Sequence, residues 1–96
     1  MLTVKNLYKI ANVMEGVPVL ACISGGPAHR AGVRYGDILL EANGCRVKTV
    51  REYLRARDLV ESSLDLVIFR DGAEIRVHMP LDPEWRPTSL QSELPV

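Results

Sequence analysis

Between Gly25 and Gly44 the chain places five of its seven glycines, together with Pro27 and Asn43, at spacings that leave little freedom in what this stretch can fold into. Pro27 has the fixed φ that suits a first helical turn, and Gly32 suits the position just past the last, where φ is often positive. A one-turn helix is therefore expected over Ala28 to Ala31. Gly36-Asp37 opens a strand from Ile38 to Ala42, Asn43-Gly44 gives the residue pair that tolerates the positive φ values of a tight hairpin, and Cys45 to Val47 pairs back.

The flanks extend this pattern of short elements. Val17 to Ile23 is a continuous apolar run bounded by glycine, which reads as a buried strand. Thr49-Val50-Arg51-Glu52 has the capping-box order, in which the Thr hydroxyl accepts from the third helical N–H and the Glu carboxylate reaches back to the cap N–H. A helix is expected from Val50 to about Val60, with apolar groups on more than one side and so contacts to both a core and a groove. Leu64 to Phe69, the turn Asp71-Gly72 and Ala73 to Leu81 read as a second hairpin, whose last strand alternates Ile75, Val77, Met79 and Leu81 with polar or proline positions. From Asp82 onward three prolines and several small polar residues leave nothing to build an element, so 1–81 is expected to be the domain and 82–96 an irregular tail, with Trp85 and Leu90 as its anchors.

Ninety-six residues allow one core. Twelve basic side chains offset twelve acidic ones, so no field gathers nucleic acid, and no stretch approaches the ~20 apolar residues that cross a bilayer. The N-terminus has no apolar signal-peptide core, which places the chain in the cytoplasm if it is complete and leaves its location open if it is an excised module. Cys22 and Cys45 are expected to be free thiols. His29 and His78 stand apart from each other and from any metal-ligand spacing, and Ser24-Gly25-Gly26 has no partners to activate a nucleophile. Neither catalysis nor a cofactor or metal is expected.

Gly25-Gly26-Pro27-Ala28, Ala31-Gly32-Val33, Gly36-Asp37 and the strand closing on Asn43-Gly44 resemble the centre of a PDZ domain, and PDZ-like features run from about Leu7 to Leu81. The added strand Ala73 to Leu81 is similar to the circularly permuted PDZ domains of bacterial HtrA-type proteases. The resemblance implies a mostly β fold, a partly open barrel of five to six strands capped by one short and one longer helix. It also implies a module that binds protein C-termini or extended peptides by β-strand addition, main-chain bonds giving affinity and side-chain pockets specificity.

By position, the resemblance puts the carboxylate-binding loop at Leu7-Tyr8-Lys9-Ile10 and the accepting strand at Ile10 to Met14. The implied site is Tyr8, Lys9, Ile10, Ala11, Asn12 and Val13 facing Val50, Leu54 and Arg57 of the long helix. Lys9 stands where that family has glycine. Either its ammonium adds attraction for a carboxylate or the loop is remodelled and carboxylate binding weakened. Val50 at the helix start resembles domains that prefer an apolar side chain two positions before the ligand's last residue. The chain's own end, Leu94-Pro95-Val96, fits that preference, which makes self-recognition or association between copies an expectation. Two readings stay open: a free-standing adaptor, or a regulatory or substrate-docking part of a larger protease or other enzyme.

Overall fold

Residues 3–81 are described by the computed structural model of the chain. The tail expected at 82–96, with Trp85, Leu90 and Leu94 to Val96, lies outside them.

The described chain runs α1 (Val4–Met14), β1 (Val17–Pro18), α2 (Pro27–Arg30), β2 (Ile38–Ala42), β3 (Cys45–Arg46), α3 (Val50–Asp58), β4 (Ser63–Arg70) and β5 (Ala73–Pro80). The five strands form one antiparallel sheet in the order β1-β2-β4-β5, with β3 also on β2. Both expected hairpin turns form: Asn43-Gly44 has φ of 49° and 82°, Asp71-Gly72 50° and 82°, the two left-handed positions that fit the right-handed twist of the paired strands. No helix among the described residues is long and apolar enough to cross a membrane.

One helix was not foreseen. Residues 4–14 are helical, so the loop at Leu7–Ile10 and the strand from Ile10 to Met14 do not exist as such. The local causes are visible. The Thr3 hydroxyl accepts from the Asn6 N–H at 3.1 Å, an N-cap, and Leu7, Ala11 and Met14 recur on one helical face that packs on the sheet. Glu15 ends the helix in the left-handed region at φ 55°, and Arg46 of β3 donates to the Met14 carbonyl at 2.7 Å. Gly16 then passes so close to β2 that an added Cβ would sit 2.6 Å from Ile38 Cγ2 and 2.7 Å from the Leu39 carbonyl oxygen.

The sheet is covered on both faces. Leu64, Leu66 and Ile68 of β4 join Val17, Val19, Leu39, Tyr53 and Met79 in the larger core, while Val67 and Phe69 turn the other way towards Leu7, Ala11, Ile38 and Leu40. This is the period-two alternation of a strand. Along β2 the register shifts between Leu39 and Glu41, and this bulge is why Leu40 faces α1 while Ala42, two residues on, returns to the larger core.

The expected strand Val17 to Ile23 is regular only at Val17–Pro18. Val19 still donates to the Asp37 carbonyl at 2.8 Å and accepts from Gly36 at 3.0 Å. Val17, Val19 and Cys22 all contribute to the same core, so alternation slips between Val19 and Cys22 and the ladder stops there.

Candidate peptide-binding site

Helix α3 is built as its sequence requires. Thr49 caps it, its hydroxyl accepting from Glu52 N at 3.1 Å, while the Glu52 carboxylate accepts from Lys48 N at 2.7 Å, one residue before the expected cap amide. Tyr53 is its buried anchor, with its hydroxyl 3.8 Å from Met79 Sδ. Val50 and Leu54 are half-buried against the larger core. Arg57 places its guanidinium 5.8 Å from the Tyr53 ring centre, within cation–π range.

The segment after Val19 supplies backbone that is free to bond. Val19 directs both its groups at the Gly36-Asp37 turn that opens β2, so in extended chain the peptide groups of Leu20 point outward. The backbone groups of Leu20, Ala21 and Cys22 meet no protein partner among the described residues. Leu20 is exposed, and the Cys22 thiol donates to the Val33 carbonyl at 3.4 Å. Burial pushes the Cys22 thiol up from its usual 9.0, with the Asp37 charge adding to it. Burial likewise pushes Tyr53 up from 10.0, with Arg57 opposing and Cys22 adding. The free backbone and the inner side of α3 therefore border one apolar core.

Asp37 fixes the base of this edge. It is buried, accepts from Arg70 Nε at 2.8 Å and Nη2 at 2.7 Å, and accepts from the Arg34 N–H at 2.8 Å. The Arg70 Nη2 also donates to the Gly32 carbonyl. The hydrogen bonds to Asp37 hold the Arg70 guanidinium above its ordinary value, against its own partial burial, and the Asp37 and Asp71 charges add to the rise.

The residues expected to form one groove do not meet. Tyr8, Lys9, Ile10, Ala11, Asn12 and Val13 all sit on α1, whose buried face packs against the sheet face opposite the α3 core, and Ala11 is itself buried there. The sheet stands between these six residues and Val50 with Leu54. Both alternatives for Lys9 lapse, because it lies in the middle of a helix and not in a loop. Leu20 to Cys22 take the place of the six, because Cys22 packs on the same core as Val50 and Leu54. The sequence reads this run as extended, but its unbroken apolar character reads as burial on both sides.

His29 Nδ1 accepts from the Gly25 N–H at 3.0 Å and the exposed His78 ring pairs with Asp65 at 2.8 Å. Cys22 and Cys45 are free thiols. Among the described residues no three His, Cys, Asp or Glu side chains gather into a metal set.

The PDZ domain family model matches residues 19–68, which takes in the free edge, α2, the Asp37 turn, both strands of the first hairpin and all of α3. The chain belongs to the PDZ domain family. Its relatives include the protein named mitochondrial serine protease HTRA2 of Drosophila willistoni, 31% identical over 74 residues, 77% of this chain and 17% of the relative. The protein of the same name from Drosophila persimilis is 34% identical over 73 residues, 75% of this chain and 17% of the relative. The chain thus spans about a sixth of the length of the curated relatives it matches. As a PDZ domain it is a protein-interaction module, and the likeness to these relatives is consistent with the HtrA-like type expected from its last strand.

Proposed function

We propose that this PDZ domain binds the C-termini or extended segments of other proteins by adding them as a strand along the edge from Leu20 to Cys22, with alternate side chains directed at Val50 and Leu54. The observation that carries the reading is the free backbone of Leu20 to Cys22 beside α3. β5, like the two-residue β3, has a strand neighbour on one side only, and its exposed residues include Glu74, Arg76, His78 and Pro80, the charged and proline positions that guard an edge. Leu20, Ala21 and Cys22 carry no such guard.

The preferred ligand has apolar side chains at its last position and two before it. Burying two such groups contributes roughly 1.5 to 3 kcal/mol each, against about 8 kcal/mol for micromolar affinity, so a four-residue ligand binds no tighter than micromolar. Ser92 to Val96 of this chain has that pattern and is a candidate ligand for its own domain or a second copy. The names of the relatives favour a second reading alongside the first, in which the domain docks substrates or regulates a larger protease.

Free C-terminal peptides and their amidated counterparts, titrated against the protein and its Leu20→Pro variant, test the proposal. Binding that weakens on amidation and is lost in Leu20→Pro is expected. Equal affinity of both peptide forms would remove carboxylate recognition, and unchanged binding to the variant would remove strand addition at this edge.

A further inference from the structure

The outer side of α3 forms a second cleft that peptide binding does not use. With 3.6 residues per turn, Glu52, Arg55, Ala56 and Leu59 lie about half a turn from Val50, Leu54 and Arg57. A cleft of about 290 Å³ opens there, bounded by Ala42 and Val47 from the sheet side, by Ala56 and Val60, and by Cys45 at its rim. Leu59 beside it is 85% exposed, the most open large apolar residue of those described. The guanidinium of Arg55 on the same rim has no protein partner among the described residues, whereas Arg46 and Glu52 are engaged with the Met14 carbonyl and the Lys48 N–H.

The described chain ends beside this cleft. The Leu81 N–H donates to the Ser62 carbonyl at 2.8 Å, and Ser62 is two residues beyond Val60, a wall of the cleft. Two extended residues and one hydrogen bond place Leu81 roughly 12 Å or less from that wall, and the four steps from Leu81 to Trp85 span up to about 14 Å. Trp85 is the chain's single tryptophan and the first large apolar side chain after Leu81.

We propose that the cleft is the docking site of the chain's own C-terminal segment, with the Trp85 indole inserted between Ala56, Val47 and Leu59 and facing Arg55. An indole suits an apolar slot with one unpaired guanidinium at its rim, since it supplies a large rigid apolar body and a π face that attracts the cation. Docking covers Leu59 and ties the segment to the outer side of α3, leaving the Val50–Leu54 side open. The inference is independent of the peptide reading, because the two surfaces lie on opposite sides of one helix.

Because Trp85 is unique, fluorescence of the full chain reports on the surroundings of this side chain alone, and substitutions in the cleft tie the signal to the contact. The expected result is blue-shifted emission and weak quenching by acrylamide, both moving severalfold towards water-like values in Leu59→Asp and in Arg55→Ala, with circular dichroism unchanged. Trp85→Ala, which leaves the described domain intact, is expected to speed alkylation of Cys45 severalfold, read residue by residue by mass spectrometry. Water-like emission in the parent protein, emission that neither cleft variant moves, or equal Cys45 rates with and without Trp85 would each overturn the proposal. Cys45 protection that instead rises with protein concentration would assign the cleft to a second copy and overturn it as well.

Discussion

Arg70 holds Asp37 with two nitrogens, at 2.8 Å and 2.7 Å, and so joins the end of β4 to the turn that opens β2. The carboxylate is almost fully buried while the guanidinium keeps 21% of its side-chain surface exposed. That asymmetry sets what each substitution does. Arg70→Leu leaves a buried carboxylate with only the Arg34 N–H and is expected to cost about 3–5 kcal/mol. Asp37→Asn leaves a guanidinium that water reaches, and is expected to cost about 1.5–3 kcal/mol. Urea unfolding of the two variants measures the order.

Gly16→Ala tests the close passage of the chain over β2. The new Cβ meets a backbone oxygen and the branched end of Ile38, not the flexible tip of a side chain. Overpacking of this kind is expected to cost about 1–3 kcal/mol, seen as a lower denaturant midpoint with an unchanged slope.

Alkaline pH is expected to destabilise the fold. Cys22 and Tyr53 are both neutral when protonated, and folding raises both above their usual 9.0 and 10.0. The folded state therefore binds more protons than the unfolded state. The stability these groups contribute is complete below about pH 9 and is lost as pH rises through the folded values. Tyr53→Phe is expected to remove the part of the fall above pH 10, in unfolding curves recorded from pH 8 to 11.

Much of the scaffold is legible in the chain, and the reasons are local. Gly44 and Gly72 fit the left-handed turn positions, Thr49 and Glu52 announce the start of α3, and the alternation of β5 matches its pairing with β4. The site is less legible because it depends on which face of the sheet each element meets. Thr3, Leu7, Ala11 and Met14 carry a helix signal, but aligning Leu7 to Ile10 with a family loop overrides it. Tertiary placement of α1 then moves six expected contacts to the far side of the sheet. The free backbone after Val19 has no signature of its own, because an apolar edge and a buried strand share one composition.

Substitutions on the two helices separate the two placements of the peptide. Leu54→Lys puts a charge where an apolar ligand side chain is expected, and should weaken binding at least about tenfold, equivalent to about 1.4 kcal/mol. Tyr8→Ala and Val13→Ala alter exposed positions on α1 and should leave affinity unchanged. Calorimetric titration with one peptide compares all three.

Residue-resolved amide hydrogen exchange, with and without a saturating C-terminal peptide, tests the central claim most directly. A peptide added beside α3 must accept from backbone donors that have no protein partner in the free domain, so exchange at Leu20 or Cys22 should slow strongly while α1 from Tyr8 to Val13 stays unchanged. Unaltered exchange from Leu20 to Cys22 under saturation, or new protection confined to β5, would contradict it.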